Sequence, residues 1–159
     1  MASEPEMSDE RDEDGLLRRV RAGDEAAWRT LYGRYRGPLF RFALGMSGSV
    51  GGAEDVAQDV FMSLVRNLDR IDPDRGTLGA YLYGATRMRV WRENDRRRSV
   101  PLEDAPERSS GARPDDALLA AERVGRLREQ LLALEAPFRE ALVLCDLEEM
   151  SYVDAARCC

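Results

Sequence analysis

The sequence predicts an all-α fold: an N-terminal helical bundle joined by a flexible linker to a short, incomplete helical C-terminal domain. Apolar residues recur at spacings of three and four along most of the chain, and no alternating β pattern or internal repeat is present. Capping and breaking residues stand where those stripes begin and end. A stretch rich in proline, serine and charge, SVPLEDAPERSSGAR, separates two sets of stripes. The chain therefore divides into an acidic tail over 1–15, a bundle over 16–98, a linker over 99–114 and a partial helical domain over 115–159.

The tail holds seven acids and one arginine with almost no apolar content, so it is expected to be disordered. Leu16, Leu17 and Val20 form a short apolar stripe that stops at Ala22-Gly23. Asp24 then caps a long helix carrying Trp28, Leu31, Tyr32, Tyr35, Leu39 and Phe42, which Pro38 is expected to bend or interrupt. Four glycines and two serines within 45–52 signal a loop. Val56, Val60, Leu64 and Leu68 stripe a third helix over 53–68. DRIDPDRG at 69–76 is turn chemistry, and a fourth helix is expected from Thr77 or Leu78 to Arg98. Past the linker, Asp115 and Asp116 cap a helix to about Leu134 that carries Leu118, Leu119, Leu127 and Leu131. Pro137 opens a further helix over 138–147, and Ser151 caps a last segment, YVDAARCC.

Composition removes several classes of function. Apolar runs reach only about five residues, far short of a bilayer span. The N-terminus is acidic where a signal peptide would be basic. Cys145, Cys158 and Cys159 form no CxxC pair and no readable disulfide framework. Without histidine, the commonest metal ligand and the commonest general base are both missing. A cytoplasmic, non-enzymatic protein without metal or other cofactor is expected. All 24 basic residues are arginine. The net charge of −6, taken as a total, argues against a nucleic-acid partner, yet all of it resides in the acidic tail and the body is balanced.

Three clusters stand out as candidate sites. In AEDVAQDVF (53–61), Asp55 and Asp59 lie one helical turn apart, with Glu54 and Gln58 adjoining and Met62 continuing the row. Carboxylates at this spacing repel, which fits either a solvated helix face or a surface that meets a basic partner. Acid–base catalysis would need a second functional group, and nothing nearby supplies one. In YLYGATRMRVWRENDRRR (81–98), Arg87, Arg89, Arg92, Arg96, Arg97 and Arg98 are interleaved with Tyr81, Tyr83 and Trp91. Guanidinium forks suit phosphates and aromatic faces suit unstacked bases, while a solvated basic helix is the alternative. The third cluster, 127–156, has two helices and a serine-capped third, the approach to a helix-turn-helix or a plain helical hairpin.

Together these segments resemble an RNA polymerase sigma factor of the sigma-70 family, extracytoplasmic-function (ECF) subgroup, over residues 16–156. AEDVAQDVF matches the subgroup's region 2.2 almost letter for letter. AGDEAAWRTLYGRYRGPLFRFAL (22–44), IDPDRGTLGAYL (71–82), the arginine-rich helix and LREQLLALEAPFREALVLCDLEEMSYVDAA (127–156) stand around it in the family's order.

The resemblance implies a region 2-like bundle, a partial region 4-like domain and no catalysis. Glu54, Asp55, Gln58, Asp59 and Met62 would dock on the clamp helices of the polymerase β′ subunit, with the β subunit as a further contact. Asn67, Asp69 and Arg75 in the loop, with Tyr81 and Tyr83, would capture a flipped base of the promoter −10 element. Arg87, Arg89, Trp91, Arg92, Arg96, Arg97 and Arg98 would hold the DNA beside it, and 99–113 would thread toward the polymerase active-site cleft. The implied partners are core RNA polymerase, promoter DNA and an inhibitory anti-sigma factor, with no membrane insertion. The family often has tryptophan at the position of Tyr81 and asparagine at that of Met88, so the recognised −10 sequence does not carry over.

After Ala156 the family continues into the helix that reads the −35 element, where this sequence has Arg157-Cys158-Cys159. Without that recognition helix, Leu142, Val143 and Val153 are expected to be uncovered, the C-terminal piece to be marginal alone, and −35 recognition to fail. The expected function is transcription initiation: binding core polymerase and directing it to a promoter. The rival is an interaction protein that binds polymerase or an anti-sigma factor without competent −35 recognition.

Overall fold

The computed structural model describes residues 4–72, 76–99 and 115–158, and every element among them is helical. The elements are α1 (Glu4–Arg21), α2 (Glu25–Ser47), α3 (Val50–Asn67), a 3-10 turn (Leu68–Arg70) and α4 (Leu78–Ser99). Then follow α5 (Asp115–Ala133), α6 (Ala136–Leu142), a π-helical turn (Val143–Leu147) and α7 (Tyr152–Cys158). Residues 100–114, most of the expected linker, lie outside the described residues.

Helix α2 is the axis of the bundle and packs on α1, α3 and α4. Leu31, Leu39, Phe42 and Met46 on it meet Leu17 of α1, Val60 and Leu64 of α3, and Leu82 and Val90 of α4 in one buried core. Asp24 caps α2 as predicted: one carboxylate oxygen accepts from the Ala26 and Ala27 amides at 2.9 and 3.1 Å. Of the bend or interruption expected at Pro38, the interruption does not occur: α2 runs as one helix through it. Proline removes one ladder bond, but Tyr35 before it and Leu39 and Phe42 after it are buried, so core packing holds the helix on both sides.

The predicted loop over 45–52 contracts to two residues. Gly48 closes α2 in the left-handed conformation, its N–H bonding to the Leu44 carbonyl at 2.8 Å, and the Ser49 hydroxyl caps α3 by accepting from Gly52 N–H. The disorder expected over 1–15 gives way to helix from Glu4. Glu13 is buried there: it accepts from the Tyr35 hydroxyl and lies 4.0 Å from the Arg34 guanidinium, while Asp12 lies 3.5 Å from Arg34. Composition registers the acids of this segment but not the arginine that faces them.

The C-terminal helices close onto the bundle. Val143 is fully buried against Gly45, and Leu132 sits over Gly48. Arg139 ties the junction by donating to the carbonyls of Met46, Leu132 and Leu134 at 2.8–3.0 Å. Helix α7 lies on α4, where Ala155 and Cys158 are buried. Of the three residues expected to be uncovered, Leu142 and Val153 are exposed, but α2 covers Val143. Ser151 caps α7 as expected, its hydroxyl accepting from the Asp154 amide at 3.1 Å.

Candidate functional site

Helix α3 has two sharply different sides. Ala53, Val56, Ala57, Val60, Phe61 and Leu64 are buried, while Glu54, Asp55, Gln58, Asp59 and Met62 are all exposed. The five residues proposed from sequence as a docking row therefore share one solvent face. Phe61 fixes the roll of the helix, tilted against the Tyr32 ring at 4.7 Å and edge-on to Trp28 at 6.4 Å. Tyr32, with Arg36 stacked 5.7 Å over its ring, joins Gln58 and Glu54 along a groove of about 680 Å³ between α2 and α3. The sequence reading missed this α2 contribution, which the YGRYR repeat of aromatic and basic residues at 32–36 could have signalled.

The acidic row and the arginine-rich helix are neighbours. Asp55, Gln58 and Asp59 line one cleft of about 370 Å³ with Arg89, Glu93 and Arg96 of α4. On α4, Trp91, Arg92 and Arg96 are exposed, Arg96 sharing an i,i+3 ion pair with Glu93 at 3.3 Å. Arg89 is half-buried and donates to the Ala85 carbonyl at 3.3 Å. The Arg97 and Arg98 side chains lie outside the described residues, as does Arg75.

Several other candidates are committed inward. Asn67 donates to the Ser63 carbonyl at 2.8 Å, closing the end of α3 rather than reaching outward. Asp69 is exposed on the 3-10 turn. Tyr81 is half-buried against the core, and Tyr83 is buried with its ring edge-on to Phe42 at 5.5 Å. Burial, with the charges of Glu148 and Cys158 nearby, pushes the Tyr83 phenol well above its ordinary range. Arg87 stacks over Trp91 at 4.3 Å and its Nε lies 2.7 Å from the carboxylate of Glu140, a side chain only 2% exposed. In this closed arrangement Tyr83 and Arg87 are therefore withdrawn from the open face, contrary to their assignment as outward DNA contacts. Sequence spacing shows which residues share a helix face, but not that another helix will cover it.

Arg21, which the sequence reading passed over, holds the loop. At the end of α1 its guanidinium donates to the carbonyl of Leu68, the first residue of the 3-10 turn, at 3.0 Å and to that of Ile71, just after it. Among the described residues no cluster of histidine, cysteine or carboxylate side chains could hold a metal ion, and no helix is long and apolar enough to cross a membrane.

The exposed acidic face of α3 and the arginine- and aromatic-rich helix α4 both fall within residues 31–99, which match the family Sigma-70 region 2. The chain is similar to the ECF RNA polymerase sigma factor SigD of Mycobacterium tuberculosis, with 34% identity over 82% of this chain and 66% of the relative. It is also similar to SigW of Bacillus subtilis, at 24% over 87% of this chain and 80% of the relative. SigE of Mycolicibacterium smegmatis is 30% identical, and there the chain spans about half, 53%, of the relative's length. The chain belongs to the ECF subgroup of the sigma-70 family. Its fold is that of CnrH, solved in complex with the cytosolic domain of CnrY: the TM-score is 0.69 over 92% of this chain and 81% of that chain, at 23% identity.

Proposed function

We propose that this chain is a transcription initiation factor that binds core RNA polymerase through α3 and directs it to promoter DNA by recognising and melting the −10 element. The observation that carries the reading is the solvent face of α3, where Glu54, Asp55, Gln58, Asp59 and Met62 are exposed over a fully apolar inner side. Such a face suits the basic clamp helices of the β′ subunit. The 3-10 turn and the start of α4 capture an unstacked base, and Trp91, Arg92 and Arg96 hold the strand beside it. Aromatic stacking of about 1–3 kcal/mol per base offsets an unstacking cost of similar size.

An anti-sigma factor is the proposed regulatory partner. An apolar cleft of about 290 Å³, lined by Leu44, Val124, Leu127, Leu131, Leu142 and Leu147, supports this by offering a seat for an amphipathic segment. The test is core-enzyme binding with Asp55→Arg and Asp59→Arg together, followed by run-off transcription. Both positions are exposed, so the fold should survive while association is abolished. Unchanged affinity would refute the docking assignment. Core binding without run-off product would favour the rival, an interaction protein that no longer initiates.

A further inference from the structure

Two ion pairs join the C-terminal helices to the bundle, and they fall on one patch of it. Arg87 of α4 meets Glu140 of α6 at 2.7 Å, and Arg41 of α2 meets Glu148 in a fork at 2.7 and 2.8 Å. Tyr83 belongs to the same patch: it is one helical turn before Arg87 and lines one cavity with Glu148. Both carboxylate side chains are 2% exposed, whereas the arginines retain 21% and 57% of their surface. The acids thus arrive from the C-terminal helices and are enclosed by the bundle, as ligands are. A carboxylate gripping a guanidinium by two oxygens presents the geometry that a phosphate presents.

We propose that Arg41, Tyr83 and Arg87 form an additional nucleic-acid backbone site on the bundle, which Glu140 and Glu148 occupy as internal phosphate surrogates, so that closure of the C-terminal helices and DNA binding at this patch exclude one another. The inference rests on the reading of α4 as a DNA-binding helix and extends it to Arg41 on α2. Arg87 is the shared element: its stacking partner Trp91 is exposed on the α4 face, while its Nε is held by Glu140. Swinging the C-terminal helices away would release two guanidinium groups from their carboxylates in one step. Conversely, a strand that takes both arginines removes these two ion pairs and leaves the contacts of Val143, Leu132 and Arg139 to hold the closure.

The experiment measures binding of a labelled single-stranded DNA oligonucleotide to the full chain over a series of salt concentrations. Glu140→Gln with Glu148→Gln should tighten binding by tenfold or more and steepen its salt dependence, by about 0.7 in log–log slope for each phosphate gained. Glu122→Gln with Glu129→Gln, on exposed α5 positions, makes the same change in net charge and should have a much smaller effect. Adding Arg41→Ala to the opened variant should reverse part of the gain and flatten the slope. Should Glu140→Gln perturb folding, Glu148→Gln alone, at the more open pair, should still give a smaller gain in the same direction. Binding no tighter than in the charge control overturns the proposal, and indifference to Arg41→Ala overturns the place of Arg41 in the site. Loss of binding in Arg92→Ala with Arg96→Ala, with no gain in the Glu140/Glu148 variant, would leave α4 a DNA-binding helix and the competition wrong. If neither pair of substitutions moves binding, both readings fail.

Discussion

Gly45 is a close approach between the bundle and the C-terminal helices, and its replacement by alanine tests that packing with a change of sign. A Cβ at this position would lie 2.9 Å from one Val143 methyl and 3.1 Å from the other. Valine is stiff at χ1, so rotation exchanges one methyl for the other without relief, and the overpacking should cost about 2–3 kcal/mol. Against this, alanine in a helix interior gains about 1 kcal/mol over glycine. Gly45→Ala should therefore destabilise the protein by about 1–2 kcal/mol. Val143→Ala removes both methyls from a fully buried site at a cost of about 2 kcal/mol. In that background the collision is gone, and Gly45→Ala should become stabilising by up to about 1 kcal/mol. Urea denaturation of the four proteins measures the cycle, with an expected coupling of about 2–3 kcal/mol. Additivity within about 0.5 kcal/mol would mean that Val143 does not rest on Gly45 and that the C-terminal helices sit elsewhere.

Arg21→Ala strips donors from two carbonyls beside the 3-10 turn; it should cost about 1–3 kcal/mol and speed amide exchange across residues 68–72. The Ala27 amide, then Arg19 and the Ala26 amide, hold the Asp24 carboxyl below its ordinary value of 3.8. Its contribution is complete above that value and is lost as pH falls through the depressed folded one, so Asp24→Asn, which keeps a capping oxygen, should flatten the acid limb of a stability–pH profile. Tyr83 is shifted the opposite way, upward from 10.0, chiefly by burial. Its contribution is full below that value and is lost as pH rises, so Tyr83→Phe should reduce the fall in urea midpoint between about pH 9 and about pH 11.

Much of the bundle was legible because its signals are local. Asp24 and Ser151 specify helix starts through their own side chains, and the apolar stripe of α3 implies its opposite face. The misreadings share a different cause. Gly45 and Gly48 look like loop residues, but one is a contact surface for Val143 and the other a helix cap beneath Leu132. Pro38 looks like a break because the sequence does not show how firmly Tyr35, Leu39 and Phe42 are held. The acids before Leu16 look solvated because Tyr35 and Arg34, which hold Glu13, are some twenty residues away. At the candidate site, spacing showed that the α3 row shares one helix face. It could not place Arg87, whose partner lies 53 positions along the chain.

The attachment of α1 gives the 3-10 turn an unusual foundation. Glu13 pins this helix to α2, and Arg21, about 12 Å further along its axis, grips the turn. The turn is thus triangulated: it leaves α3, leads to α4 and is stayed from a third side by a strut anchored elsewhere. A segment hung between two helices can sway about the line joining its ends; one stayed from outside that line cannot. The base capture proposed for this turn would gain from such a stay, because the position of the turn is then set by the frame of the bundle.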